Sequence, residues 1–182
     1  MIDLDVPDAD AMTALGERLA EVLRAGDLVL LGGDLGAGKT TLAQGVGAGL
    51  GVRGPVTSPT FVIARVHPSL AGGPPLVHVD AYRLGGWDEL EDIDLEATLD
   101  EAVTLVEWGE GVAEGLAGDR LEIHIDRSHG GDASGSGEVR HVHVRAVGER
   151  WDEAALAPVV RDADREVSDG QELHQGKGEQ WP

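Results

Sequence analysis

Three features predict an α/β fold of three layers around a largely parallel central sheet. A short apolar run, Leu28–Leu31, leads into the glycine-rich G-D-L-G-A-G-K-T-T at 33–41 and then into a stretch of helical spacing. Two more apolar runs, 76–79 and 103–106, each end in a carboxylate, Asp80 and Glu107. Towards the C-terminus two alternating segments flank a turn of small residues, which predicts an antiparallel hairpin adding edge strands to the sheet.

The elements follow in order. Met12, Leu15, Leu19, Val22 and Leu23 recur at helical spacing, and Gly26 is expected to close that helix. Leu28–Leu31, bounded by Asp27 and Gly32, reads as a buried strand. A helix is expected from Thr40 to Leu50 although Gly45, Gly47 and Gly49 each cost it roughly 1 kcal/mol relative to alanine. That cost points to close packing on the sheet or to a helix that weakens near its end. Strands are expected at Phe61–Val66 and Leu76–Val79 around a G-G-P-P loop, then a helix over 88–102 and a strand at Val103–Trp108. Leu121, Ile123 and Ile125 alternate with Glu122, His124 and Asp126, as Val142, Val144 and Ala146 do with His141, His143 and Arg145. The segment G-G-D-A-S-G-S-G joins this pair into the hairpin. From Asp152 the chain is polar and weakly patterned. The organisation is thus one domain over 1–151, followed by a polar acidic tail over 152–182 that is disordered towards its end.

Aromatic residues make up only 3%, so the core must be built from Leu, Val and Ala. The absence of cysteine excludes disulfides and thiolate metal sites. No apolar run is long enough for a membrane span, and no basic-then-apolar leader opens the chain, so a cytoplasmic location without membrane contact is expected. The formal charge is −20, and residues 87–126 hold 14 acidic groups against one basic group, Arg120. Such a surface repels phosphate backbones and argues against unaided nucleic-acid binding. It suits a solvated face, or a docking face for a basic partner.

Lys39 is the only lysine before Lys177 in a chain that otherwise uses arginine. Gly33 and Gly38-Lys39-Thr40 fit the phosphate-binding pattern G-x-x-x-x-G-K-[ST]. Glycine permits the positive backbone angles that turn successive N–H groups inward into an anion nest, and the next helix adds its own free N–H groups. Gly33, Asp34, Leu35, Gly36, Ala37, Gly38, Lys39, Thr40 and Thr41 therefore form the candidate nucleotide loop. Lys39, read as a solvent-accessible charge, can reach β- and γ-phosphates, and Thr40 offers a hydroxyl to Mg²⁺. The metal also needs a carboxylate at a strand end, for which Asp80 and Glu107 both qualify. Thr60, in V-T-S-P-T-F at 56–61, is a candidate γ-phosphate sensor. His141 and His143 share a strand face but lack further ligands, so they read as solvent-facing. His78 reads as a packed, hydrogen-bonded histidine, and Trp87 and Trp108 as core anchors, or as lining of the cleft.

Taken in order, G-D-L-G-A-G-K-T-T, S-P-T-F, H-V-D-A-Y-R-L and V-E-W-G-E closely resemble the TsaE (YjeE) family, small bacterial ATPases of the tRNA threonylcarbamoyladenosine pathway. The resemblance spans about residues 7–150. It implies ATP and Mg²⁺ as cofactors, with Leu35 to Thr40 around the phosphates and Lys39 on the β- and γ-groups. Thr40 and Glu107 would serve the metal, directly or through water, with Asp80 beside them in the hydrolytic site. Thr60 would lie on a switch-like loop, and Asp8, Ala9 and Asp10 would pass close to the adenine. The implied partners are TsaB and TsaD as a TsaB–TsaD complex, with tRNA reached through that complex. The chain departs from the family pattern where Gly137-Glu138 opens the last strand, leaving Arg140 as the nearest base. A small-metabolite kinase or a non-catalytic nucleotide-dependent module are the alternatives. A GTPase is disfavoured because N-K-x-D is missing and the chain has no asparagine.

Overall fold

The computed structural model describes residues 1–93, 95–127 and 139–161. Within them the elements run β1 (Ile2–Val6), α1 (Ala9–Val22), β2 (Leu28–Gly33), α2 (Lys39–Gly49), β3 (Ala64–His67) and β4 (Leu76–Asp80). There follow α3 (Trp87–Glu91), α4 (Glu96–Leu99), β5 (Val103–Glu107), β6 (Arg120–Arg127), β7 (Arg140–Val147) and α5 (Glu153–Val160). The strands form one seven-stranded sheet in the order β1-β7-β6-β2-β5-β4-β3. Its middle is parallel, with β2 held between β6 and β5 and β5 beside β4; the outer pairings are antiparallel.

Alternation along the strands sorts the apolar side chains into two cores. Val29, Leu31, Leu76, Leu105, Leu121, Ile123 and Val142 pack with α1, α2 and α5 on one face. Leu28, Leu30, Val77, Val79 and Val106 pack on the other, with Leu90, Leu95 and Ala113. The sheet therefore lies between two layers. By the same period of two, His78, Asp80 and Glu107 share the face that carries α2.

Asp8 starts α1 by accepting a hydrogen bond from the Ala11 amide at 2.8 Å. The helix ends at Val22, and Gly26 sits in the turn beyond it, its amide bonded to the Ala102 carbonyl at 2.9 Å. The glycines of α2 pack mainly on α1 rather than on the sheet. A Cβ at Gly45 would lie 2.1 Å from the Thr13 carbonyl oxygen, and one at Gly16 would lie 2.4 Å from that of Leu42. Gly49 meets Ala20 in the same way, while Gly47 meets Val56. Close contact with α1 at Gly45 and Gly49, and with Val56 at Gly47, accounts for these residues rather than a fraying end.

Several expectations are corrected. The hairpin β6–β7 lies inside the sheet, because β1 pairs with β7 in register from Ile2↔Val144 to Val6↔Arg140 and takes the edge itself. Residues 61–63 are not strand: the Pro59 carbonyl accepts from the amides of Val62 and Ile63, and Ile63 has φ 67°. The acidic stretch 88–102 is not one helix but contains the short α3 and α4. The segment after Asp152 includes α5, capped by Asp152 and burying Leu156 and Val159. The G-G-D-A-S-G-S-G connection, Gly137-Glu138 and the end of the tail lie outside the described residues.

Candidate functional site

The site lies at the carboxyl ends of β2, β5 and β4, where α2 begins. Gly33, Gly36 and Gly38 have φ of 116°, 76° and 119°, values that L side chains rarely adopt. A Cβ at Gly33 would also lie 2.2 Å from the Ile125 carbonyl oxygen of neighbouring β6. The loop thus turns tightly into the N-terminus of α2.

A cleft of about 360 Å³ opens there, lined by Leu35, Gly36, Gly38, Lys39, Thr40, Thr41, Ser58, Thr60, Asp80, Tyr82, Glu107 and Trp108. The expectation of an accessible lysine is corrected: Lys39 is only 4% exposed. Its Nζ donates to the carbonyls of Gly33 at 2.6 Å and Asp34 at 2.9 Å, and it lies 3.8 Å from the centre of the Trp108 ring. Burial pushes the Lys39 pKa down, and the charges of Glu107, Asp80, Asp34 and Glu110 oppose that shift. Trp108 itself adopts φ 60° and stacks at a tilt on Tyr82, with ring centres 5.1 Å apart.

The register places Asp80 opposite Glu107. The Thr40 hydroxyl lies 3.0 and 3.1 Å from the two Glu107 oxygens, which also receive His78 Nε2 at 2.9 Å on Oε1. Asp80 Oδ2 accepts from the hydroxyls of Ser58, at 2.9 Å, and of Thr60. Its Oδ1 accepts the Tyr82 amide at 3.0 Å. A hydroxyl beside two carboxylates is an oxygen donor set of the kind a hard divalent cation takes. The glycine-rich loop and the N-terminus of α2 line the same cleft, and the free N–H groups of a helix N-terminus suit an anion.

On the other side of the loop a second cavity, about 270 Å³, is lined by Pro7, Asp8, Ala9, Met12, Gly36, Ala37, Gly38, Thr41 and Arg140. Arg140 Nε donates to the Ala37 carbonyl at 3.2 Å. Gly36, Gly38 and Thr41 line both cavities, so the loop is their shared wall. Asp8 and Ala9 are thus brought to the loop, whereas Asp10 points from the first turn of α1 and lines neither. Ser58 and Tyr82 are site residues that sequence reasoning missed. Ser58 stands two positions before Thr60, and Tyr82 two after Asp80, which is the signal that could have found them. His141 and His143 lie on interior strand β7, their Nδ1 atoms 2.6 Å from Asp5 and Asp3, away from this cleft.

Fold and site together define a class: an α/β protein whose glycine-rich loop and helix N-terminus face a carboxylate-lined cleft at the carboxyl edge of parallel strands. Residues 6–134 match the family model described as threonylcarbamoyl adenosine biosynthesis protein TsaE, and the chain belongs to that family. It is 67% identical over 141 residues to the Streptomyces coelicolor tRNA threonylcarbamoyladenosine biosynthesis protein TsaE, covering 77% of this chain and 93% of the relative. The protein of the same name from Bacillus subtilis is 39% identical over 140 residues, covering 76% and 82%. A crystal structure of Bacillus subtilis YdiB superposes with a TM-score of 0.67 at 32% identity, covering 88% of this chain and 94% of that one. No helix among the described residues is long and apolar enough to cross a membrane.

Proposed function

We propose that the chain is a cytoplasmic Mg²⁺-dependent ATPase acting in tRNA threonylcarbamoyladenosine biosynthesis, as the accessory protein of a TsaB–TsaD complex. The observation that carries this reading is the meeting of Lys39, the Thr40–Glu107 pair and the Asp80 cluster in one cleft at the glycine-rich loop. The names borne by its relatives supply the pathway.

In this reading the cavity beside Asp8, Ala9 and Met12 takes the adenine, and the loop amides from Asp34 to Thr41 take the phosphates. Lys39 exchanges its two carbonyl acceptors for the β- and γ-phosphate oxygens. Thr40 and Glu107 hold Mg²⁺, with Asp80 beside them, and the ion when bound supplies charge neutralisation at the phosphoryl oxygens. Asp80, fixed by Ser58 and Thr60, orients the attacking water, and Thr60 couples the 56–61 loop to the γ-phosphate. The acidic surface keeps tRNA off this chain, so TsaB–TsaD holds the tRNA.

ATP hydrolysis measured alone and with TsaB–TsaD tests the reading. Phosphate release that rises with the complex is expected. No release under either condition overturns the ATPase reading, and a phosphorylated small metabolite would place the chain among kinases instead.

A further inference from the structure

His78 lies on β4, is 0% exposed, and places Nε2 2.9 Å from Glu107 Oε1. Nδ1 is buried without a hydrogen-bond partner among the described residues. The acceptor is a carboxylate, so Nε2 carries a proton and donates. A buried nitrogen without a partner is a cost that leucine, of comparable bulk, would not incur. What the imidazole adds over an apolar side chain is therefore its bond to Glu107.

That bond has a geometric consequence. The carboxylate torsion of glutamate is broad and roughly two-fold, so an untethered carboxylate turns readily about its own axis. The Thr40 hydroxyl cannot fix it, since it lies almost equally far, 3.0 and 3.1 Å, from both oxygens. His78 reaches only Oε1, from within the protein, and so breaks the tie. We propose that His78 is a positioning residue: its Nε2–H pins Glu107 Oε1 and thereby leaves Oε2 to act with the Thr40 hydroxyl as the cation-holding pair. The inference rests on the Mg²⁺–nucleotide reading given above and names a residue that reading does not use. It acts through Glu107 and touches neither nucleotide nor metal.

The test uses the full-length chain with a fluorescent ATP analogue titrated at graded Mg²⁺, and with ADP in a chelator. His78→Leu removes the donor, His78→Gln carries an amide N–H to about the reach of Nε2, and His78→Asn falls short of it. Loss of such a supporting hydrogen bond typically costs about 10–100-fold in metal affinity. His78→Leu and His78→Asn should therefore need at least about tenfold more Mg²⁺ for half-maximal binding, with metal-free ADP affinity changed less than about twofold. His78→Gln should recover to within about threefold of the native chain. In a Glu107→Gln background His78→Leu should shift the Mg²⁺ dependence no further. Should His78→Leu fail to fold, the comparison of Gln with Asn, both polar, decides alone. Wild-type Mg²⁺ dependence in His78→Asn, or an equal loss in Gln and Asn, overturns the assignment of His78 alone. A native chain that shows no Mg²⁺-dependent nucleotide binding overturns the underlying reading, and this inference with it.

Discussion

Gly45 packs directly on the backbone of α1, and Gly45→Ala should invert the usual effect of that substitution. In a helix interior alanine is favoured over glycine by about 1 kcal/mol. Here the added Cβ would stand 2.1 Å from the Thr13 carbonyl oxygen and 2.9 Å from the Gly16 Cα. Carbon–oxygen contacts run from about 3.3 Å, so α1 would have to withdraw by about 1.2 Å. Both obstructions are backbone, which cannot rotate aside, so the cost lies at the top of the overpacking range of about 1–3 kcal/mol. The net loss is about 2 kcal/mol after subtracting the propensity gain, and Tm should fall by about 4–8 °C for a chain of this size. Gly49→Ala meets the Ala20 methyl carbon at 2.5 Å and the Glu17 carbonyl at 3.0 Å, a looser setting, and should cost less. Circular-dichroism melts of the native chain and both variants make the measurement. A Gly45→Ala protein that melts at or above the native temperature would refute the close approach of the two helices.

Lys39→Ala should weaken ATP binding by about 10–150-fold, the equivalent of one charge-assisted hydrogen bond of about 1.5–3 kcal/mol, and Lys39→Arg should not restore it; native affinity in either titration would contradict the role given to the loop. Glu107→Gln and Asp80→Asn should each abolish ATP hydrolysis in the presence of TsaB–TsaD, and normal phosphate release from one of them removes that residue from the machinery. The His124 pKa is raised chiefly by its hydrogen bond to Glu110, with burial opposing and Asp126 assisting. A folded value above the unfolded one stabilises fully below the ordinary imidazole value of about 6.5 and is lost as pH rises through the folded value. The native chain should therefore melt higher than His124→Gln at about pH 5.5, with the gap closing by about pH 9; a gap that ignores pH would count against this ion pair. Charge reversal at the exposed Asp88, Glu89, Glu91 and Asp92 should slow association with TsaB–TsaD more than it speeds dissociation, most of all at low salt. Stopped-flow rates that ignore salt and survive all four reversals leave those acids a solubilising role alone.

The glycine-rich loop and its flanks were legible because backbone geometry admits few residues there: the positive φ at Gly33, Gly36 and Gly38 leaves little choice. The strand-end carboxylates were legible because a short buried run that stops at a charge marks a sheet edge. Edge strand β1 was not, since I-D-L-D-V buries only Leu4 and Val6 and offers too short a pattern. Phe61 and Val62 misled for a different reason. β-propensity reads them as strand, but both are exposed and the Pro59 carbonyl winds the chain into a turn. Trp108 was legible only as a core anchor or as lining of the cleft, because an aromatic side chain in sequence does not separate the two until its ring is seen over Lys39 with Tyr82 stacked against it. The α1–α2 contact was hidden as well: Gly16 and Gly45 are informative only as a pair, and they lie on different helices.

The strand order has a bearing on how the chain matures. β2, which leads into the loop, is flanked by strands that begin at Val103 and Arg120, and β1 finds its partner only in Arg140–Val147. During synthesis the N-terminal third therefore leaves the ribosome with its central strand unpaired on both sides and its first strand without a neighbour. Contacts of such sequence separation form slowly, because a long loop must be closed before they are rewarded. Gly33 pairs with Ile125 of β6, whose carbonyl lies against the turn, so the loop gains this wall only when β6 arrives. A nascent chain halted near residue 115 should thus fail to bind nucleotide although it already contains Lys39, Asp80 and Glu107, and it exposes unpaired strand edges of the kind that aggregate.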